Sequence, residues 1–357
     1  MSRDNQTLHS LAWLSWVSAT LVALSATRNP FYLLLILLCV AVVSASALNI
    51  ASAQQDQTSS GLQPIRLSPL RFGLLVTPLG ALFNALMVRA GDTTVLSIPS
   101  AWPIVGGAAI TLEALVFGAL NGVMITGFFA AFAVLNTVVP ARALVRRVPR
   151  AFYSAAVVTS IALTYIPFTL RQFEQVREAQ AVRGHEMRRL RDWLPLFMPL
   201  LVGGMERALQ LAESMAARGF ASADAETLGA TDQAAVLTGL LALAAGWLLN
   251  TMWGHQVAGP LMMLAGIAIL ALALRAVGRR APHTPYRREA WRARDWVTVL
   301  ASVVVVVAMF VPLPGLSRAS LIFYPYPALS APELDLSIVA LLMCLLAPAL
   351  MLGLPRR

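Results

Sequence analysis

Long apolar segments separated by short polar ones fill most of this 357-residue chain. Runs such as Phe31–Ile50, Val297–Val311 and Ile338–Leu354 contain no charged residue. Helices of about 17–25 apolar residues match the hydrocarbon thickness of a bilayer, whereas barrel strands are shorter and alternate. The pattern therefore predicts an all-α, polytopic helical membrane protein. Eight spans are predicted, at roughly 11–26, 31–50, 71–89, 104–136, 234–253, 257–276, 296–312 and 336–353.

The segment 137–230 has a different, amphipathic pattern. It predicts two long helices, at about 151–184 and 192–219, in which apolar positions recur at helical spacing beside charged ones. The apolar start of the first helix also fits a spanning hairpin. A single crossing there would leave the arginines of 171–191 on the outer face, so we expect both helices along the inner membrane surface. The chain then divides into N-terminal transmembrane helices (1–136), this cytoplasmic region (137–230) and C-terminal transmembrane helices (231–357).

Arginine alone supplies the cations behind the net charge of +10, because the sequence contains no lysine. Short cytoplasmic loops of membrane proteins are enriched in arginine. With the N-terminus inside, the outer face keeps only Arg28, Arg89 and Arg318 of the loop arginines. We therefore expect a cytoplasmic N-terminus and no nucleic-acid partner. A phosphate-binding P-loop requires a lysine, so the chain is not expected to hydrolyse nucleotide by that route.

The amphipathic region carries one short signature twice, as "EAQAVRG" at 178–184 and "ESMAARG" at 213–219. Each copy ends a predicted long helix. A glycine that provides a left-handed helix cap, with a cation near the helix dipole, explains one copy without any function. Two copies favour a docking device, because an arginine beside small residues can enter a groove and bind a carboxylate with both arms of its guanidinium. The two shared arginines, Arg183 and Arg218, predict a partner with two equivalent grooves.

The stretch from "LTYIPFTLRQFEQVREAQAVRG" to "PLLVGGMERALQLAESMAARGF" resembles the transmembrane T component of energy-coupling factor transporters, a family that includes cobalt-transport permease subunits. The Asn-Pro of "TRNPFYLLLILL" is a weaker match, and the resemblance covers roughly residues 8–250. It implies a non-catalytic subunit of the prokaryotic plasma membrane without a cofactor of its own. Its partners would be two ABC-type ATPases and a small substrate-binding membrane protein for a vitamin, a vitamin precursor or a transition-metal ion.

The resemblance also implies roles for individual residues. Arg183 and Arg218 would dock into the ATPases, and their small neighbours would fit beside them. Those neighbours are Ala181, Val182, Gly184, Ala216, Ala217 and Gly219, and residues supporting the coupling helices would be Pro167, Glu178 and Glu213. Val182 departs from the usual alanine. About 100 residues after position 257 extend beyond the usual end of the family.

Other chemistry is weakly represented. Four histidines are scattered without metal-ligand spacing, and Cys39 and Cys344 lie in apolar runs, so neither a metal site nor a disulfide is expected. Glu113 is expected to be hydrogen-bonded or to reach the membrane surface. A stand-alone secondary transporter is the main alternative, and it requires inverted repeats and polar groups at mid-membrane. A membrane enzyme would require a cluster of acids, bases or metal ligands.

Overall fold

The computed structural model describes residues 8–55, 68–88, 90–97, 109–145, 148, 152–184, 193–219, 230–252, 254, 257–280, 291–310, 318–326 and 329–353. Within them the chain is almost entirely helical. The helices are α1 (Ser10–Ala26), α2 (Pro30–Gln55), α3 (Pro69–Met87), α4 (Leu112–Val138), α5 (Ala141–Val145), α6 (Tyr153–Val182), α7 (Leu194–Ala217), α8 (Ala230–Thr251), α9 (Ala258–Arg280), α10 (Ala293–Phe310), α11 (Leu336–Met343) and α12 (Ala347–Gly353).

Seven of the described helices are long and apolar enough to cross a membrane. They are α2, α3, α4, α8, α9 and α10, which match predicted spans, and α6, which was predicted to lie on the surface. The first and last predicted spans are shorter apolar helices, Ser10–Ala26 and Leu336–Leu352. A 3-10 turn at Cys344–Leu346 divides the last one into α11 and α12. Length and composition therefore support a multi-pass membrane protein.

Two short strands were not predicted. Strand β1 (Thr94–Ser97) pairs antiparallel with β2 (Ala109–Thr111), and Thr94 lies opposite Thr111. The fourth span was predicted from residue 104, but α4 starts only at Leu112. Its start is fixed locally, because the Thr111 side chain accepts a hydrogen bond from the Ala114 amide at 3.4 Å and so caps the helix.

The chain forms two compact units. The outer unit comprises Met1–Pro140 with Arg287–Arg357, and the central unit comprises Ala141–Tyr286. The sequence-based division was made by the expected role of each segment, whereas these two units are defined by contacts. That division, into 1–136, 137–230 and 231–357, stays a prediction.

Helices α1 and α2 form the core of the outer unit, together with α10, α11 and α12. Large side chains such as Trp13, Trp16 and Tyr32 are almost fully buried there. Polar bonds join the two ends of the chain: Trp16 Nε1 donates to the Leu345 carbonyl at 2.8 Å. Asn29 caps α2 by accepting from the Phe31 amide at 3.1 Å, and its Nδ2 donates to the carbonyls of Ser320 at 2.8 Å and Glu333 at 2.7 Å.

Helices α3 and α4 complete this unit through close backbone contact. A Cβ atom added to Gly118 would lie 2.5 Å from the Gly80 carbonyl oxygen and 2.8 Å from the Ala81 Cα. Glycine at these positions lets the two helix backbones touch, as is common between membrane helices.

The central unit contains two helix pairs. Helices α8 and α9 form an antiparallel hairpin with equally close backbones, because a Cβ on Gly246 would lie 2.7 Å from the Met263 nitrogen. Helices α6 and α7 form the second pair and are called the arms below. Their contact is far smaller, and no residue between Ser154 and Val182 is buried.

Candidate functional site

The two arms end in the same local geometry. Helix α6 stops at Val182, and the Arg183 amide bonds the Gln180 carbonyl at 3.1 Å while the Gly184 amide bonds the Ala181 carbonyl at 2.9 Å. Helix α7 stops at Ala217, with the corresponding bonds from Arg218 to Met215 at 3.1 Å and from Gly219 to Ala216 at 2.9 Å. The repeated sequence signature is therefore also a repeated structure.

Both closing glycines have left-handed backbones, with φ of 77° at Gly184 and 78° at Gly219. A Cβ at either position would meet no described atom within 4 Å, so backbone conformation rather than space requires glycine here. The interpretation of each glycine as a left-handed helix cap is therefore confirmed, and it leaves the function of the arginine open. The cap sets the direction in which the chain leaves each helix immediately after the arginine.

Every predicted docking residue is exposed on these two tips. Val182 has 89% of its surface exposed, and Ala181, Arg183 and Gly184 beside it are also exposed. The second tip presents Ala216, Ala217, Arg218 and Gly219 in the same way. An arginine with alanine, valine and glycine neighbours leaves space for a partner's surface to approach the guanidinium. Such a group suits bidentate binding of a carboxylate.

Residues predicted to support the arms lie along the same helices. Pro167 lies inside α6, one residue before Phe168, whose ring contacts α7. Glu178 and Glu213 are exposed, each five residues before the arginine of its own tip. No role in docking has been tested for any of these residues, so their assignment stays a prediction.

The contact that joins the arms was missed at the sequence level. Arg207 on α7 donates from Nη2 to the Gln172 side-chain oxygen on α6, and its guanidinium lies over the Phe168 ring at 4.5 Å from the centroid. Phe173 also stacks near Trp193, with ring centroids 6.2 Å apart. Gln172 and Arg207 are separated by the same 35 positions as Arg183 and Arg218, but an equal offset marks corresponding positions and does not indicate contact.

Other polar groups do not form a second site in the described part of the chain. No group of three or more histidine, cysteine, aspartate or glutamate side chains there could hold a metal ion. His9 accepts from the Leu11 amide at 3.2 Å, while His185, His255, His283 and the aromatic Phe220 after the second tip lie outside the described residues. Glu113 is buried in the first turn of α4 and accepts hydrogen bonds from the amide and hydroxyl of Thr93, so it is hydrogen-bonded as expected.

Comparison with known proteins covers the arms and the N-terminal helices. A profile of the CbiQ family, described as cobalt transport protein, matches residues 2–227. The chain is 30% identical over 138 residues to the energy-coupling factor transporter transmembrane protein EcfT of Heliobacterium modesticaldum, which is 34% of this chain and 52% of that relative.

Two further EcfT proteins show similar likeness. Identity is 32% over 115 residues to that of Acidaminococcus fermentans, or 29% of this chain and 42% of the relative. It is 27% over 133 residues to EcfT 1 of Listeria monocytogenes, or 31% of this chain and 49% of the relative. The chain thus spans about half the length of the curated relatives it matches.

Proposed function

This chain belongs to the CbiQ family of cobalt transport proteins, and on that basis we propose that it is the transmembrane coupling subunit of an energy-coupling factor importer. It is powered by two ABC-type ATPase subunits on separate polypeptides, which are either two copies of one protein or two different proteins. ATP binding closes the ATPase dimer, and the docked arms carry that movement to a separate substrate-binding membrane subunit. The chain itself is non-catalytic.

One observation carries the proposal: the structural identity of the two exposed arginine tips. ATPase dimers of the ABC type offer two equivalent surfaces, and two tips of the same backbone geometry on one pair of helices match them. Guanidinium groups are favoured at interfaces because they keep their charge and bind carboxylates with a fixed fork. Arg183 and Arg218 are the docking residues in this proposal, with Ala181, Val182, Gly184, Ala216, Ala217 and Gly219 lining their approach.

The direction of the helices supports a cytoplasmic position for the arms. At one end of the outer unit, the His9 amide before α1 bonds the Asp295 carboxylate of α10 at 2.7 Å. At the other end, the Arg28 amide after α1 bonds the Leu321 carbonyl after α10 at 2.9 Å. Helices α1 and α10 therefore run parallel and cross the membrane in the same direction.

The parallel direction of α1 and α10 restricts the number of spans that lie between them in the sequence. An odd number of spans must separate two spans of the same direction. Helices α2, α3 and α4 supply three, and the α8–α9 hairpin adds two, so α6 and α7 cross together or not at all. Helix α7 is not among the candidate spans of the described residues. If α6 crossed alone, the number of spans between α1 and α10 would be even. This favours a position for both arms on the cytoplasmic side, which the arginine-rich loops identify.

The cargo is recognised by the substrate-binding subunit in this proposal. Its class is a vitamin, a vitamin precursor or a transition-metal ion, as the resemblance implies. The chain supplies the route for mechanical coupling, in contact with the bilayer, the two ATPases and the substrate-binding subunit.

Affinity purification of the tagged chain from its own membranes in mild detergent tests the proposal. Mass spectrometry should find one or two ABC ATPases and a small hydrophobic protein, and the latter identifies the cargo. Replacing Arg183 and Arg218 together by glutamate should remove the ATPases and abolish uptake, while the chain stays in the membrane. The matched control is Arg177→Glu, which reverses an exposed charge on α6 away from the tip.

Two results contradict the proposal. The first is uptake and ATPase recovery that survive the double reversal. The second is gradient-driven uptake by the chain alone in liposomes without any ATPase, which indicates a secondary transporter.

A further inference from the structure

One side chain, Arg207, makes two of the described contacts between the arms. Arg207 Nε donates to the carbonyl of Gly203 on its own helix at 2.7 Å, and Nη2 donates to Gln172 Oε1 on α6. The guanidinium also lies over the ring of Phe168, 4.5 Å from its centroid. Arg207 thus fixes its own rotamer through one turn of α7 and binds two side chains of α6.

The surrounding sequence makes room for this contact. A Cβ atom on Gly203 would lie 3.0 Å from Gln172 Nε2 and 3.3 Å from Arg207 Nη2, which is closer than most real side-chain contacts. Glycine at 203 therefore lets the Gln172 amide approach the surface of α7. Gln172, Gly203 and Arg207 are all half-buried, although both arms are otherwise largely exposed.

A further described contact between the arms is aromatic. The aromatic group of Phe173, Trp193 and Phe197 lies at the start of α7, with neighbouring centroids 6.2 Å apart. Between Ser154 and Val182, α6 buries no residue that would lock it against α7. Arms with so small a described contact can change their crossing angle when the guanidinium or the aromatic group is removed.

Because this contact lies far from both tips, a small rotation at the contact displaces each tip by a larger distance. Arg183 follows Gln172 by eleven residues, and Arg218 follows Arg207 by eleven. At 1.5 Å per residue each tip lies about 16 Å along its helix from the contact, so a rotation of about 10° moves a tip by about 3 Å. That displacement is as long as a hydrogen bond, and bidentate docking does not tolerate it.

We infer that Arg207 is a positioning residue, which fixes the crossing angle of α6 and α7 through Gln172 and Phe168 and thereby the spacing of Arg183 and Arg218. The geometric part concerns the chain alone. Its consequence for transport rests on the proposed function, because only a docked pair of tips transmits force. Neither Arg207 nor Gln172 is assigned to ATPase contact here.

Distance measurement between two spin labels tests the geometric part directly. Ala179 and Ser214 are exposed, occupy equivalent positions in the two arms and lie before the docking residues, so Ala179→Cys and Ser214→Cys provide the labels. Cys39→Ala and Cys344→Ser remove the native thiols. The full chain in lipid nanodiscs should give one narrow distance distribution by pulsed electron paramagnetic resonance.

Substitutions at the contact should broaden that distribution. Arg207→Leu and Gln172→Leu each remove one partner of the bond, and both should widen the distribution. Gln172→Glu retains an acceptor oxygen for the guanidinium and should keep it narrow. The matched control is Arg171→Leu, which removes an exposed arginine next to Gln172 and should have no effect. If Arg207→Leu does not accumulate, comparison of Gln172→Leu with Gln172→Glu still tests whether this contact fixes the distance between the arms.

A second measurement follows the consequence for transport. In the complex with its ATPases, Arg207→Leu should retain the ATPases but lower substrate transported per ATP hydrolysed by about tenfold, the upper part of the range for coupling mutations. Unchanged distances in both leucine variants overturn the inference and leave the docking proposal intact. Conversely, uptake that survives reversal of Arg183 and Arg218 overturns the docking proposal and leaves the distance result standing.

Discussion

The core of the outer unit and the arms of the central unit are held together by opposite means. Helices α1 and α2 bury large side chains against α10–α12 and bond them through groups separated by about 300 residues of sequence, such as Asn29 and Glu333. The arms expose most of their surface and touch through Arg207 and an aromatic group. The core of the outer unit holds distant parts of the chain together, whereas the arms leave surface available to another protein.

This difference explains where the sequence is informative. A buried membrane core needs only apolar residues of suitable size, so its segments resemble those of many unrelated membrane proteins. A surface that meets a partner must present particular groups at particular places. The arms therefore carry the recognisable signature although they contribute little to the buried core.

The largest expected effect separates docking from folding. Reversing Arg183 alone, or Arg218 alone, should lower uptake by about 100-fold, because loss of a charged contact at an interface costs 2–5 kcal/mol or more. Each change should leave the thermal unfolding midpoint in detergent unchanged, since both side chains are exposed. Uptake assays and unfolding scans on the same preparations check this, with Arg177→Glu as the control. Normal uptake in either single variant would show that one tip is dispensable.

Alanine replacements of two glycines should have effects of opposite sign in the two regions. Gly118→Ala forces a methyl group against the Gly80 carbonyl and should destabilise the outer unit by about 1–3 kcal/mol. Gly204→Ala places its methyl group where no described atom lies within 4 Å, and should stabilise α7 by about 0.5–1 kcal/mol. Denaturant or thermal unfolding in detergent measures both. Equal effects would mean that the arms are packed as tightly as the core.

Removing the Asn29 side chain should weaken the link between the two ends of the chain. Asn29→Ala leaves the carbonyls of Ser320 and Glu333 without this donor and removes the cap of α2, so it should cost about 2 kcal/mol of unfolding free energy. Asn121→Ala is the matched control, because within the described residues its side chain accepts only a long 3.5 Å hydrogen bond from Arg28, and it should cost less than about 0.5 kcal/mol. A loss of similar size in both variants would assign the effect to amide removal in general.

The smallest expected effect concerns the one difference between the tips. Val182 stands where the second tip has Ala217, and it is 89% exposed. Val182→Ala removes two methyl groups beside Arg183 and should raise ATPase affinity by no more than about threefold, since exposed changes rarely exceed 0.5 kcal/mol. Titration of the purified chain with its ATPase measures the change. A large loss of affinity would show that the valine itself fills a pocket in the partner.

Local features of the arms were predictable from the sequence. The Arg-Gly ends specify both the exposed cation and the left-handed cap, because a glycine with positive φ is the usual way to end a helix. The contact between Gln172 and Arg207 was not predictable in this way, because an equal offset of 35 residues marks corresponding positions and does not indicate contact. The docking role itself depends on a partner and stays a prediction.

Long-range features could not be predicted in the same way. Nothing in the apolar spans indicates that α10 packs on α1, or that the bonds of Asn29 reach across to Ser320 and Glu333. The start of α4 was placed too early because residues 104–111 are as apolar as the helix that follows. The roughly 100 residues after position 257 had no functional explanation, yet their helices α10–α12 belong to the same compact unit as α1.

The bonds between the two ends of the chain have a consequence for biosynthesis. Trp16 and Asn29 enter the membrane region early, but their partners at Leu345 and Glu333 are made about 300 residues later. At roughly 5–20 residues per second, a ribosome needs about 15–60 s to reach them. During that interval the indole and the amide lack these partners. Helix α1 can take its final place only when the segment from Glu333 to Leu345 has been synthesised.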